Sequence, residues 1–272
     1  MERALTVWKE KHPIGELMMN WITDKTRQPP VVVTVPDRAA LLADLRQRFM
    51  ARTGFSVATL NLDHVVKLGR DPLFQNAYAR QTHVTADGNP IVWLCRLAGQ
   101  RDVALVPGSE LIDPVAALAA ETGITVALFG ATDASLAASA TALEARHPGL
   151  RVVLRLAPPM GFDPESAAAD EAIKTIGNSG ARLVFLALGA PKQERFAARA
   201  QDALPQVGFL SIGAGLDFIS GAQKRAPKWA RAMAGEWVWR MLSNPRRLGA
   251  RYGACILAMP RLTFRAISTR AR

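Results

Sequence analysis

Short apolar runs rich in β-branched residues alternate with longer amphipathic segments from about residue 31 onward. The runs with the length and composition of strands are Val31–Val35, Phe55–Leu60, His83–Ala86, Thr125–Phe129, Arg151–Leu156, Leu183–Leu188 and Gly208–Ile212. The segments with the pattern of helices are Arg38–Arg52, Leu62–Arg80, Glu110–Thr122, Ala134–Arg146, Pro164–Asn178 and Lys192–Ala203. This alternation predicts an α/β fold: a mostly parallel sheet with helices on both faces, a Rossmann-like core.

The pattern changes after Gly221. Apolar residues then recur at every fourth position and predict one face of a helix: Trp229, Met233, Trp237 and Met241. A second helix is predicted from Leu248 to Met259, and Pro260 and a basic stretch follow it. The chain is therefore expected to end in a helical appendage.

Charge is distributed unevenly along the chain, whose net charge is +11. Residues 222–272 hold 12 of the 34 Lys and Arg residues and a single acid, Glu236, which leaves 22 basic and 22 acidic residues before them. A neutral body with a cationic tail predicts an anionic partner. We divide the chain into an N-terminal arm (1–30), an α/β core (31–221) and a basic membrane-binding appendage (222–272). The alternative for Trp229 and Trp237 is that they pack on the core.

The composition excludes several classes of protein. With 272 residues, 49% of them hydrophobic, the chain can bury a large core. No run approaches the roughly 20 apolar residues of a membrane span, and the first 30 residues lack the pattern of a signal peptide, so we expect a cytoplasmic body. Cys95 and Cys255 lie far apart without a Cys-x-x-Cys motif, which indicates neither a disulfide framework nor a zinc site.

Polar residues follow the predicted strands, where ligands of open α/β sheets bind. Asp87, beside the flexible Gly88, is a candidate general base, although an Asp-Gly pair is also an ordinary turn. Thr59 and Asn61 leave a neighbouring strand on one face and can hydrogen-bond a sugar or a phosphate. The alternative for Asn61 is to cap the helix that follows it.

A sharper motif, Gly-Ala-Pro-Lys-Gln-Glu at residues 189–194, combines the end of a strand with the start of a helix. Helix N-termini bind phosphate, so this segment predicts a diphosphate site with Gln193 as a hydrogen-bonding group. Lys192 and Glu194 are alternatively charges on the helix surface. The turn Gly213-Ala214-Gly215 resembles dinucleotide-binding and methyl-donor loops only weakly, because it lacks a third glycine.

Together these motifs resemble the WecG/TagA/CpsF family of glycosyltransferases over roughly residues 31–255. The blocks that carry the resemblance are Gly189–Glu194, Gly213–Trp229, Glu236-Trp237 with Arg240, Asn244–Leu248, Arg251-Tyr252, Thr59–Asn61, Asp87-Gly88 and Pro107–Ser109. They have the order and spacing of the family. One position departs from it, because Leu105 stands where the family usually has arginine, and Arg101 or Arg96 is expected to replace that cation.

The resemblance implies a metal-independent, inverting enzyme without a cofactor. Its donor is a UDP-sugar carrying ManNAc, ManNAcA, GlcA or a similar sugar, and its acceptor is a polyprenyl-diphosphate-linked saccharide of cell-surface polysaccharide synthesis at the inner face of the plasma membrane. The absence of any Asp-x-Asp pair agrees with metal independence, since backbone N–H groups, a helix dipole and arginines must then meet the leaving-group charge.

The resemblance also implies roles for individual residues. Asp87 is the catalytic base, Thr59 and Asn61 line the catalytic pocket, and Gln193 lies on the helix that closes it. The residues expected at the UDP-sugar are Gly108, Ser109, Gly130, Gly189, Ala190, Pro191, Lys192, Gln193, Glu194, Gly213, Gly215 and Asp217. Those expected at the lipid diphosphate or the anionic membrane are Arg240, Arg246, Arg247 and Arg251.

Two other classes of protein remain as alternatives. A basic nucleic-acid- or lipid-binding module without catalysis would use the tail to neutralise phosphates. No sheet face with aromatic and basic residues is evident, so we expect no nucleic-acid partner. A nucleotide-dependent oxidoreductase or methyltransferase rests on the turn at residues 213–215 alone. The apolar stripe of the tail also allows a homo-oligomer.

Overall fold

The computed structural model describes residues 19–21, 30–223 and 245–270, without the side chains of residues 245–248 and 250. In these residues the strands are β1 Phe55–Leu60, β2 His83–Ala86, β3 Thr125–Gly130, β4 Arg151–Leu156, β5 Leu183–Ala187 and β6 Gly208–Ser211. They form one sheet in the order β2-β1-β6-β5-β3-β4, and every pair of neighbours is parallel. The predicted fold class is therefore confirmed.

The helices of the described residues connect the strands and end the chain. They are α1 Arg38–Ala51, α2 Leu62–Leu68, α3 Pro72–Ala79, α4 Asn89–Leu97, α5 Gly108–Glu121, α6 Asp133–Arg146, α7 Ala167–Asn178, α8 Lys192–Ala203, α9 Gly215–Ile219 and α10 Pro245–Arg270. Side-chain oxygens of Asp37, Asn61, Asp71 and Thr132 accept first-turn N–H groups, which fixes where α1, α2, α3 and α6 begin.

Both faces of the sheet are covered, because neighbouring residues of a strand point to opposite sides. On one face Leu210 belongs to a hydrophobic cluster with residues of α1, α5 and α6. On the other face Phe209 packs with residues of α7 and α8. A third cluster joins β1 and β2 to α2, α3, α4 and α10. The core thus holds the sheet rigidly and leaves its carboxyl edge to loops and helix ends.

Two predicted elements were wrong. The segment Leu62–Arg80 is not one helix, because α2 ends at Gly69 and Asp71 caps a new start with Pro72 at the first position of α3. The run at residues 31–35 is buried but is not a strand. The N–H groups of Thr34 and Val35 both reach the same carbonyl, that of Val84, so no ladder forms. Helices α4 and α9 were not predicted.

The C-terminal helix α10 packs against α2 and α4 through Cys255, Leu262 and Ala266, which are buried. Its predicted end before Pro260 was wrong. Pro260 is exposed, and so is Ile256, whose carbonyl loses its helical donor and can bind water instead. Packing of the buried residues beyond Pro260 holds the second half of the helix. No helix in the described residues is both long enough and apolar enough to cross a bilayer.

Part of the predicted N-terminal arm belongs to the core. Met19 and Trp21 are buried in the same cluster as Leu262 of α10. The N–H of Trp21 donates to the carbonyl of Val31 at 2.8 Å. Residues 1–18 and 22–29 of the arm lie outside the described residues, as do the predicted stripe Trp229–Met241 and Arg240.

Candidate functional site

The neighbouring strands β2, β1, β6 and β5 bring most of the predicted site residues to one part of the carboxyl edge. Thr59 pairs with Thr85 in the register of β1 and β2. One step further, the N–H of Asp87 donates to the carbonyl of Leu60 at 2.7 Å. Asp87 and Asn61 therefore leave adjacent strands side by side.

Asp87 is half-buried directly after β2 and immediately before Gly88, the N-cap residue of α4. The buried phenol of Tyr78 interacts electrostatically with Asp87 and with Glu194 of α8. Burial raises the pKa of Tyr78 well above its usual value, and the nearby carboxylates of Glu194 and Asp87 raise that pKa further. Tyr78 Oη also lies 3.0 Å from Nδ1 of the buried His64. Asp87 and Glu194 therefore both lie within electrostatic range of this phenol.

Thr59 and Asn61 occupy different positions relative to the edge. Thr59 is almost fully buried, and Asn61 is half-buried. Asn61 Oδ1 accepts the N–H of His64 at 3.0 Å, so this oxygen caps α2, as the alternative from the sequence predicted. The structure therefore shows Asn61 holding the start of a helix at the edge of the site.

The N-terminus of α5 contacts the ends of β1 and β6 at Gly108. A Cβ atom at this position would lie 2.9 Å from the carbonyl oxygen of Ser211 and 3.1 Å from Thr59 Oγ1. Only glycine permits this approach. Among the described residues no side chain caps α5, whose N-cap residue is Pro107, so the first turn of a 14-residue helix is directed at the edge without a capping oxygen. Ser109 is half-buried there.

Gln193 and Glu194 join the first turn of α8 to the loop after β6. Gln193 is 2% exposed; its Oε1 accepts the N–H of Gly213 at 3.1 Å and its Nε2 donates to Glu194 Oε1 at 2.8 Å. Glu194 is fully buried, and its backbone carbonyl accepts Gln81 Nε2 at 3.2 Å. Burial raises the pKa of Glu194 to about 7, although the hydrogen bond from Gln193 lowers it. Gln193 therefore holds the first turn of α8 against the loop after β6, and Glu194 holds the amide group of Gln193.

The loop between β5 and α8 is held from α2. Lys67 Nζ donates to the carbonyl of Ala190 at 3.1 Å. The same ammonium group lies 2.8 Å from Asp63 Oδ2, an ion pair without the angles of a hydrogen bond. Arg251 Nε of α10 lies 2.9 Å from Asp63 Oδ1. Gly189, Pro191 and Lys192 complete this loop and are half-buried.

Three residues that were predicted to contact the UDP-sugar make contacts within the protein. A Cβ at Gly130 would lie 2.4 Å from the carbonyl oxygen of Ala187, so this glycine lets β3 and β5 approach. Asp217 accepts Ser135 Oγ and Gln223 Nε2, both at 3.1 Å. A Cβ at Gly215 would lie 2.4 Å from Ile112 Cδ1. Their contact with a donor stays a prediction.

The predicted cations are described only in part. Arg240 lies outside the described residues, and Arg246 and Arg247 lie in α10 without described side chains. Leu105 is exposed on the surface. Arg96 Nε donates to the carbonyl of Val103 at 3.2 Å, and Arg101 is exposed. The replacement of the family's arginine stays a prediction.

Sequence reasoning missed four residues of this region, namely Asp63, His64, Lys67 and Tyr78. Asp63 and Lys67 lie four positions apart on a predicted helix, and this spacing of opposite charges was a usable signal. His64 and Tyr78 had no comparable signal, since they occupy apolar helical segments. Their contact depends on the break between α2 and α3.

The chain is similar to known glycosyltransferases. A family model described as "Glycosyl transferase WecG/TagA/CpsF family" matches residues 30–272. The chain is similar to the N-acetylglucosaminyldiphosphoundecaprenol N-acetyl-beta-D-mannosaminyltransferase of Bacillus subtilis (strain 168). The two are 23% identical over 198 residues, which is 72% of this chain and 74% of the relative. The family match contains every edge residue above and begins after residues 19–21.

Proposed function

Because this chain belongs to the WecG/TagA/CpsF family of glycosyltransferases, we propose that it transfers a sugar from a UDP-sugar to a polyprenyl-diphosphate-linked saccharide. The name of the Bacillus subtilis relative specifies an N-acetylmannosaminyl group and a diphosphoundecaprenol-linked acceptor, which supports this substrate class. The product would enter the synthesis of a cell-surface polymer. The observation that carries the proposal is the half-buried carboxylate of Asp87, next to Asn61 at the carboxyl edge.

Asp87 is the proposed general base. Its carboxylate takes the proton of the acceptor hydroxyl as that oxygen bonds to the anomeric carbon. The bond between the anomeric carbon and the β-phosphate oxygen breaks, and its electron pair leaves with UDP. Attack from the face opposite UDP inverts the anomeric carbon. A positioned base of this kind typically contributes about 10²- to 10⁴-fold to the rate.

The N-termini of α5 and α8 are the proposed site of the donor diphosphate. In both helices the N-cap residue is a proline, and in the described chain neither start is capped by a side chain. The positive end of a helix dipole and first-turn N–H groups stabilise an anion. We propose that this replaces a metal ion, since the sequence has no Asp-x-Asp pair. Lys192, the first residue of α8, adds a cation there.

The outward face of α10 supports contact with an anionic membrane at the inner face of the plasma membrane. Ile256, Leu257, Phe264 and Ile267 are 58%, 82%, 73% and 51% exposed and lie opposite the buried Leu262. A soluble helix would carry polar residues on this face. The appendage is also strongly basic, as lipid-surface helices are. Because α10 packs on α4, which begins right after Asp87, a lipid-bound α10 would bring the acceptor towards the base.

One assay tests the activity. Purified protein is incubated with UDP-ManNAc, UDP-ManNAcA, UDP-GlcA or UDP-Glc and a polyprenyl-diphosphate-linked saccharide in anionic vesicles, and products are identified by mass spectrometry and NMR. We expect one donor to give a lipid product with an inverted anomeric centre, and the rate to persist in EDTA. No product with any donor would overturn the transfer. A retained configuration would overturn the direct displacement, and loss of rate in EDTA would overturn metal independence.

A further inference from the structure

A continuous series of charged contacts runs from the C-terminal helix to the loop before α8. Arg251 of α10 contacts one carboxylate oxygen of Asp63, at 2.9 Å. Lys67 contacts the other oxygen, at 2.8 Å, and its ammonium group also donates to the carbonyl of Ala190, at 3.1 Å. Two segments far apart in the sequence, α2 and α10, therefore meet at one carboxylate, and Lys67 connects it to a third segment at Ala190.

The carboxylate is sheltered from solvent. The Asp63 side chain is 11% exposed, whereas the side chains of Lys67 and Arg251 are 35% and 40% exposed. A charge in such a position is screened less by salt than an exposed one, and removing its partners leaves it poorly solvated. Asp63 therefore needs both cations, and the position of each cation depends on it.

Two members of this series, Asp63 and Ala190, lie next to the proposed site. Asp63 is the second residue of α2, whose start is capped by Asn61. Ala190 precedes Pro191, the N-cap residue of α8, and the N–H of Gln193 donates to the carbonyl of Gly189 at 3.1 Å. A shift of Lys67 would thus release the carbonyl next to the helix start that we assign to the donor diphosphate.

We propose that Asp63 and Lys67 are positioning residues that couple the docking of α10 to the order of the loop Gly189–Pro191. This inference rests on the proposed function only where it places the donor diphosphate at that loop. With Arg251 on Asp63, Lys67 is held against the Ala190 carbonyl and the start of α8 is fixed. Without Arg251, Lys67 moves to satisfy the sheltered carboxylate alone, and the loop loosens.

Hydrogen–deuterium exchange of the full chain tests the coupling without any assay of transfer. We expect the amides of Gly189, Ala190, Lys192 and Gln193 to exchange about tenfold faster in Arg251→Gln and in Lys67→Gln, as the loss of a charged hydrogen bond predicts. Arg251→Lys keeps the cation and should restore most of the protection. Arg70→Gln removes an exposed cation near Lys67 and should leave exchange of these amides unchanged.

Asp63→Asn completes the test. Its effect on the loop should not add to that of Arg251→Gln, because both break the same series. If Asp63→Asn does not fold, Arg251→Gln decides alone, since its side chain is on the surface. Unchanged exchange of the loop in Arg251→Gln, or equal changes in Arg70→Gln, would overturn the coupling.

Kinetics separate this inference from the proposed function. In Arg251→Gln and Lys67→Gln the KM for the UDP-sugar should rise by about fivefold or more, and kcat should change less, because the loop orders the donor rather than the reacting atoms. A fall in kcat at constant KM would overturn the positioning role. If the wild-type chain transfers no sugar, the proposed function fails, and the exchange of the loop amides still decides the coupling.

Discussion

The side-chain oxygen of Gln193 accepts the backbone N–H of Gly213 at 3.1 Å, across 20 residues of sequence. The amide group of Gln193 is fixed in turn by Glu194, which is fully buried. This pair holds the start of α8 against the loop after β6, and both segments belong to the proposed donor site. The geometry of that site therefore depends on a carboxyl group that does not reach solvent.

Glu194 should make the stability of the protein depend on pH. Burial raises its pKa from 4.5 to about 7, so the folded state favours the protonated form. The protonated carboxyl group therefore contributes fully to the stability of the folded protein below pH 4.5, and this contribution is lost as pH rises towards 7. Glu194→Gln still accepts from Gln193 and cannot ionise. Urea unfolding should show it more stable than the wild type by about 1–3 kcal/mol at pH 8 and equal near pH 4. A difference in unfolding free energy between the two proteins that is the same at every pH would contradict this role of Glu194.

Asp44 should affect stability and not transfer. Burial opposes its ionisation, but hydrogen bonds from His83 and Arg48, at 2.7 and 2.6 Å, outweigh it and hold the pKa of Asp44 well below its usual value. The ionised carboxylate of Asp44 therefore stabilises the folded protein above about pH 4, and this stabilisation is lost as pH falls further. Asp44→Asn should lower the unfolding free energy by about 2–4 kcal/mol at pH 7 and by less at pH 3. Because His83 begins β2, at the amino edge, kcat of the folded variant should be unchanged; a large fall would count against placing the site at the carboxyl edge.

The segment at residues 19–21 should stabilise α10. Trp21 is 1% exposed, in a cluster with Leu262 and Ala266, and Arg265 Nη2 donates to the carbonyl of Asn20 at 2.6 Å. Trp21→Ala should lower the unfolding free energy by about 3–5 kcal/mol and speed proteolysis within α10. The control is Trp93→Ala, where the exposed ring should cost far less. Equal losses in the two variants would contradict this packing.

The outward face of α10 should bind lipid. Leu257→Ser with Phe264→Ser should weaken sedimentation with anionic vesicles at least about tenfold, since each buried apolar side chain contributes about 1.5–3 kcal/mol. Folding should be almost unaffected, because both side chains are exposed. Met160→Ser is the matched control on another surface. Unchanged sedimentation of the double variant would contradict membrane contact. An oligomer that the wild type forms without lipid and the double variant does not form would also contradict it.

Much of the fold could be predicted from local sequence. The bounds of β1, β2 and β4 were predicted to the residue, because each is a short run that contains β-branched residues. Helix α4 was missed because Asp87-Gly88 precedes it and Asn89-Pro90 begins it, and these four residues also have the composition of a turn. The break between α2 and α3 was missed although Gly69, Asp71 and Pro72 mark it.

The site was less predictable because its contacts join distant segments. Asn61 and Asp87 directly follow β1 and β2, as the sequence predicted. The pattern did not show that Gln193 would be buried against a loop, because the contact needs β5 and β6 to be neighbours. The contact from Lys67 to Ala190 spans 123 residues and depends on the position of α2 after β1. Only the assembled sheet brings such groups together.

The strongest test of the proposed mechanism is the turnover of Asp87→Asn, because the substitution removes the proposed base and keeps the shape of the side chain. We expect kcat to fall by about 100-fold or more, while the melting temperature and its increase on addition of UDP remain those of the wild type. Near-normal turnover by this folded, UDP-binding variant would contradict the assignment of Asp87 and, with it, the proposed mechanism.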